Sequence, residues 1–213
     1  MSFDIICFDC DSTLSKIEGI DELGRRAGLF DELVALTNAA MNGELALEEV
    51  YGKRLDLIKP DQAEMDGLAE LYISEMVTGV EELFSTLLAQ GKQVHIISGG
   101  IRQAILPLAE KLGLPANHVH AVNVLFNDDG SYQDFDQQSP LAKNGGKAVV
   151  CQQIKTDALS MAMVGDGKTD LEAKHAGAKV IGFGGVAERT IVVEQADVFV
   201  KETSLMAVLP HLV

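Results

Sequence analysis

The sequence is short of basic residues. Its 213 residues carry 17 lysine and arginine side chains against 32 aspartates and glutamates, a formal net charge of −15 with histidine neutral. A surface of that sign repels nucleic acid and anionic membranes, and no basic cluster offsets it, so neither partner is expected. An anionic small substrate stays within reach only where local cations or a metal overcome the field. Cysteine is scarce too: an odd count of 3 argues against a disulfide framework and favours a reducing cytoplasm. No apolar run approaches the ~20 residues of a transmembrane helix. The N-terminus lacks the basic region and long apolar stretch of a secretory signal. Internal repeats and low-complexity tracts are absent.

What is there suffices for a globular core. With 47% hydrophobic residues, the chain fits one large domain, or one core with a sizeable insertion. Short apolar runs ending in small polar residues read as buried parallel strands. They are Phe3 to Phe8, "QVHIISGG" (Gln93 to Gly100), "ALSMAMVGDG" (Ala158 to Gly167), "KVIGFGG" (Lys179 to Gly185) and "DVFVK" (Asp197 to Lys201). Helical spacing appears at Val80 to Leu88, Ile101 to Leu112 and Thr169 to Ala176, the last stopping at Gly177. Strands alternating with helices imply right-handed crossovers and a parallel sheet covered on both faces. Ile17 to Glu75 contains no convincing strand and reads as an inserted helical segment, broken near Gly28, Gly43 and Lys59-Pro60. Within Ala121 to Asp136, Asp129-Gly130 separates two β-like runs, a hairpin signal.

In open parallel sheets, ligands bind beyond the carboxyl ends of the strands. Three expected strands end in Asp9-Cys10-Asp11, Ser98-Gly99-Gly100 and Gly165-Asp166-Gly167. Residues two apart on an extended chain share a side, so Asp9 and Asp11 address one site. Their mutual repulsion would be relieved by a divalent cation, with Asp166 as a further hard oxygen ligand; such a donor set suits Mg²⁺. Aspartate is also a nucleophile toward phosphorus, and a second acid beside it can protonate a leaving oxygen and then activate water. Ser98, the Gly99 N–H and Lys147 of "NGGKAVV" would surround a transferred phosphoryl group.

Plainer readings compete. An isolated D-x-D is more often a solvated loop or cap, Ser-Gly-Gly is commonly a turn, and Lys143 rivals Lys147. "GFGG" at Gly182 to Gly185 reads as a turn rather than a dinucleotide fingerprint. Cys7 and Cys10 spell C-x-x-C, yet residues three apart on a strand point to opposite faces, and no second pair completes a zinc site. His118 and His120 near a loop, and His95 in a strand, read as structural or solvated.

Taken in order, "DCDST" at Asp9, "SGG" at Ser98, "GGK" at Gly145 and "GDGKTD" at Gly165 resemble the haloacid dehalogenase superfamily of phosphotransferases, over most of the chain. The cap sequences "IEGIDEL" and "NAAMNGELALEEVYGKRLDLIKP" are similar to its phosphoserine-hydrolysing branch. The resemblance implies an α/β fold: a Rossmann-like parallel sheet core (1–14 and 78–213), an inserted helical C1 cap (15–77) and a small β-hairpin. It implies Asp9 as nucleophile, Asp11 as acid/base and, through its carbonyl, a metal ligand, and Asp166 as metal ligand. Ser98, Gly99 and Lys147 would hold phosphate, and Asp170 would support the metal shell. Glu18 would meet a substrate ammonium and Arg54 a carboxylate, as their charges suit. Thr169, where many members carry Asn, would reach substrate or phosphate; Leu47 stands where some carry a larger aromatic residue. The implied reaction is Mg²⁺-dependent release of phosphate from O-phospho-L-serine, the last step of serine biosynthesis. Phosphoryl transfer to homoserine and hydrolysis of another small phosphate ester are the alternatives within the fold. A receiver module phosphorylated on aspartate without turnover is the alternative outside it.

Overall fold

The computed structural model describes residues 2–42, 44–156 and 159–213. Gly43 and Ala158, on which an expected helix break and an expected strand start fall, lie outside the described residues.

Strand β1 (Ile5–Phe8) is buried at every position, as a strand covered on both faces must be. It is paired in parallel with β2 (Gln93–Ile101) on one side and, on the other, with β6 (Met161–Gly165). The outer strands are β3 (Val119–Val122) beside β2, then β7 (Lys179–Phe183) and β8 (Val198–Val200) beyond β6. The order is β3-β2-β1-β6-β7-β8, parallel throughout. Since the chain leaves β1 toward β2 on one side and β6 lies on the other, β1 sits at a topological switch point. Phe8 pairs with both Ile96 and Val164, each two residues before Ser98 and Asp166, so the three polar strand ends emerge side by side.

Four helices, α1 (Gly19–Ala27), α2 (Phe30–Asn42), α3 (Leu47–Ile58) and α4 (Gln62–Ser74), separate β1 from α5 (Val80–Ala89). The expected breaks have physical causes. Gly28 closes α1 in the left-handed region (φ 75°), Lys59 does so for α3 (φ 48°) before Pro60, and Asp61 with Glu64 forms a capping box on α4. The two crossings into this segment meet in a single antiparallel bridge, Ser15 with Met76. Helices α6 (Arg102–Lys111), α7 (Gly146–Ile154), α8 (Lys168–Leu171) and α9 (Thr190–Gln195) complete the layers, and α5 packs Phe84 on Phe8 with ring centroids 4.9 Å apart.

Several boundaries differ from the sequence reading. Ala121 belongs to the sixth sheet strand, β3, and the hairpin is the shorter pair β4 (Val124–Phe126) and β5 (Tyr132–Phe135). His120 interrupts the apolar pattern of this four-residue strand, and His118 directly precedes it, so the strand is hidden. β2 continues through Ser98-Gly99-Gly100 to Ile101, with a register shift between Ile97 and Ile101, so α6 starts one residue later than expected. The helix expected at Thr169 to Ala176 tightens into a 3₁₀ turn from Glu172 before Gly177.

Candidate active site

One cavity beyond the carboxyl ends of β1, β2 and β6 is lined by Asp9, Asp11, Glu18, Arg54, Ser98, Gly99, Lys147, Asp166 and Thr169. Asp170 is completely buried behind Lys147. The ten residues singled out from sequence therefore converge.

The centre is an ion pair. Lys147 Nζ lies 2.6 Å from Asp9 Oδ2 and 2.7 Å from Asp170 Oδ1, with 4% of the lysine side chain exposed. Burial works against the ammonium, yet Asp170 and Asp9 together hold its pKa above the ordinary lysine range. Lys143 reaches only the rim of the cavity and is itself exposed. Of the two rivals, Lys147 is the one bonded to Asp9. Asp170 in turn accepts from the Gly167 N–H at 2.9 Å. A Cβ on Gly165 would overlap its carboxylate, which explains a small residue ending β6 in "GDGKTD".

Asp9, Asp166 and Asp170 each offer a carboxylate oxygen within 4.8 Å of the others, all three buried. Burial, foremost, raises Asp166 to about 6 and Asp170 to about 7, against the pull of Arg189 and Lys147 respectively. A surplus of hard, desolvated oxygens suits a divalent cation such as Mg²⁺. The Asp11 side chain stands apart from this trio, so the role expected for Asp11 toward a metal falls to its backbone carbonyl. The cause is local. After β1 the chain bends through Ser12 (φ 51°), and Asp11 Oδ1 accepts from the Gly19 N–H at 2.8 Å and the Tyr72 hydroxyl at 2.6 Å. Burial first, then Asp9, raises Asp11 to about 7, and these two hydrogen bonds hold it from rising further.

The helical segment between β1 and α5 contributes Glu18 and Arg54. Glu18 Oε1 accepts from Ser12 Oγ at 2.7 Å, and burial, then Asp11 and Asp166, push its pKa well up. Arg54, 4% exposed, donates from Nη1 to Thr37 Oγ1 at 3.0 Å, and Thr37 donates to Asp21 at 2.6 Å. Its buried Nε has no partner among the described residues. Ser98, 1% exposed, accepts from the Gly100 N–H at 3.0 Å, and the Gly99 carbonyl accepts from the Tyr51 hydroxyl at 2.8 Å. Leu47 lines the cavity, and its N–H donates to Asn144 Oδ1 at 3.2 Å.

Sequence reasoning missed Arg189 and both tyrosines. Arg189 donates from Nε to Asp166 Oδ2 at 3.0 Å and places Nη2 3.6 Å from Glu18 Oε1. It follows the "GFGG" turn with no surrounding pattern to mark it. Cys7, Cys10 and Cys151 are free and buried. His95 and His120 approach at 3.2 Å, and His118 stacks on His95 with centroids 4.2 Å apart, away from the cavity.

A parallel sheet with an acidic cluster and a buried lysine at its switch point defines a hydrolase of the haloacid dehalogenase-like class, whose family model matches residues 3–177. A chloroplastic phosphoserine phosphatase of Arabidopsis thaliana is 40% identical over 200 residues, covering 92% of this chain and 68% of that one. A substrate-bound phosphoserine phosphatase structure superposes with TM-score 0.85 at 30% identity, over 100% of both chains. A phospho-aspartyl intermediate analogue of phosphoserine phosphatase does so with TM-score 0.84 at 31% identity, again over 100% of both. The chain belongs to the haloacid dehalogenase-like hydrolases, among the phosphoserine phosphatases.

Proposed function

We infer that this enzyme hydrolyses O-phospho-L-serine to L-serine and phosphate through an aspartyl-phosphate, as the last step of serine biosynthesis. The observation that carries the reading is the pairing of Asp9 with Lys147 in a cavity that also presents Asp11, held by contacts of its own. Asp9 attacks phosphorus; as its oxygen–phosphorus bond forms, the phosphorus–oxygen bond to serine breaks, and the Asp11 carboxyl gives its proton to the departing oxygen. Water then attacks the aspartyl-phosphate, losing its proton to Asp11, and phosphate leaves Asp9. Protonation near neutrality suits Asp11 to both roles. Ser98, the Gly99 N–H and Lys147 meet the phosphoryl oxygens. Asp9, the Asp11 carbonyl and Asp166, with Asp170 supporting them, would hold Mg²⁺, which supplies positive charge against those oxygens when bound.

Specificity rests on the segment 15–77, which we take as a cap over the core of 1–14 and 78–213. Glu18 suits the substrate ammonium, and the unpartnered Arg54 Nε suits its carboxylate. Thr169 adds a hydroxyl at the cavity wall. Three free cysteines fit a reducing compartment such as the cytoplasm. Among the described residues, no helix is long and apolar enough to cross a membrane.

Phosphate release from phosphoserine, with and without Mg²⁺, tests the activity. Arg54→Ala is expected to weaken phosphoserine turnover roughly 30-fold or more while sparing phosphoethanolamine, which lacks the carboxylate. Equal losses on both substrates would remove Arg54 from recognition.

A further inference from the structure

Asp11 is the group on which both proton transfers depend, yet nothing on β1 itself orients it. Its Oδ1 is fully engaged from the helical segment, by the Tyr72 hydroxyl at 2.6 Å and the Gly19 N–H at 2.8 Å. Its Oδ2 points the other way. A Cβ built on Gly100 would lie 2.8 Å from Oδ2 and 3.3 Å from Ser98 Oγ, so this oxygen faces the phosphate-binding end of β2. The two oxygens of one carboxylate thus have different duties.

Tyr72 is completely buried on α4 and does not line the cavity, so it does not touch a substrate there. Its hydroxyl passes through a gap that exists because residue 19 has no side chain. A Cβ on Gly19 would overlap that hydroxyl and come within 2.9 Å of the ring Cζ. A short O–H···O bond to this carboxyl oxygen is directional, whether Oδ2 carries the proton or not. Losing it would let the carboxylate rotate about its Cβ–Cγ bond, whose torsional preference is broad.

We propose that Tyr72 is a positioning residue for proton transfer: by holding Asp11 Oδ1, it commits Oδ2 to the leaving oxygen of the substrate. The proposal rests on Asp11 as the acid. Because Tyr72 belongs to α4, the acid is oriented only while the helical segment sits over the strand ends. Recognition of the substrate and readiness of the proton donor are thereby joined in one structural unit.

The test uses leaving groups that differ in their need for a proton. An alkoxide such as that of serine must be protonated as it departs, whereas 4-nitrophenolate leaves without help. With Tyr72→Phe, single-turnover release of serine from phosphoserine is expected to slow at least 10-fold. The first-turnover burst of nitrophenolate from 4-nitrophenyl phosphate should keep its wild-type rate. Gly19→Ala, which retains the hydroxyl but displaces it, should show the same split. Equal slowing of both first turnovers would mean that Tyr72 matters only for packing, and wild-type serine release in Tyr72→Phe would also overturn the proposal. Asp11→Asn separates the two layers. Wild-type serine release in that variant would remove Asp11 as the acid, and Tyr72's role with it. A slow Asp11→Asn beside an unaffected Tyr72→Phe would remove Tyr72 alone.

Discussion

Two groups of titratable side chains pack against the same sheet, one buried and one buried only at His95, and they have opposite fates. At the carboxyl ends of β1 and β6, Asp9 and Asp170 hold Lys147 between them, and Arg189 pairs with Asp166. On β2, β3 and the turn before β3, His95, His118 and His120 pack on one another with rings 4.2 Å and 5.4 Å from His95. Burial penalises charge in both places. In the first group Lys147 and Arg189 stand within hydrogen-bonding distance of the carboxylates and offset part of that penalty. The second contains only bases, and the nearby Arg102 adds a further positive charge. Burial first, then its two neighbours, lowers His95 to about 4; burial, then His118 and Arg102, lowers His120. Rings that stack and hydrogen-bond with one another and with β2 are a structural solution. A dense, incompletely neutralised cluster is a chemical one.

The contrast can be broken most severely at Asp9. Asp9→Asn keeps the shape and is expected to lower phosphoserine turnover roughly 10³–10⁶-fold while the thermal transition persists, as steady-state kinetics and calorimetry would record. Wild-type-like turnover would remove Asp9 as nucleophile. Lys147→Met attacks the counterion instead. It leaves Asp9 and Asp170 buried without their partner, and urea titration should find the fold weaker by about 3–5 kcal/mol. A neutral outcome would mean that the carboxylates simply take up protons.

Divalent metal sharpens the same side of the comparison. Saturating Mg²⁺, at about 100-fold over its dissociation constant, should stabilise the protein by about 2.7 kcal/mol. In scanning calorimetry that corresponds to a rise of about 5–10 °C for a chain of this size, largely lost in Asp166→Asn. An equal rise in Asp166→Asn would place the cation elsewhere.

The histidine side is tested by pH. Because the folded pKa of His95 lies near 4, below the ~6.5 of an unfolded chain, the unfolded state takes the proton first. The stabilisation from a neutral His95 is therefore complete above about pH 6.5 and is lost as pH falls toward 4, by on the order of 2–3 kcal/mol. Asp166 and Asp170 are raised, so their contribution runs the other way over pH 4–7. The informative quantity is accordingly the difference between wild type and His95→Asn in urea titrations. That difference should shrink as pH falls, and one independent of pH would show that the ring titrates as in water.

Much of this was legible in the chain because strands of a parallel sheet announce themselves. Runs such as Ile5-Ile6-Cys7-Phe8 are apolar on both faces, and the residues just after them must lie at the sheet's carboxyl edge. Asp9, Ser98 and Asp166 follow from that rule. β3 escaped because it is only four residues long, with His120 inside it and His118 just before it; both rings find partners on β2, Val94 O for His118 and His95 Nδ1 for His120. Arg189 and Tyr72 escaped for a different reason. Each stands in an unremarkable local pattern, and its meaning comes from a distant partner: Asp166 for Arg189, Asp11 for Tyr72.

By itself the sequence determined the layers, the order of the chemical motifs and the kind of atoms they bring, since hydrophobic period and strand-end chemistry are local properties. The tertiary structure alone decided that Lys147 reaches Asp9 and Asp170 at once, that the Asp11 carboxylate stands apart from the acidic trio, and that Tyr72 and Arg189 reach the site. Those are matters of a few ångströms between residues far apart in the chain, and only the packing of α1, α4 and α7 around the ends of β1 sets them.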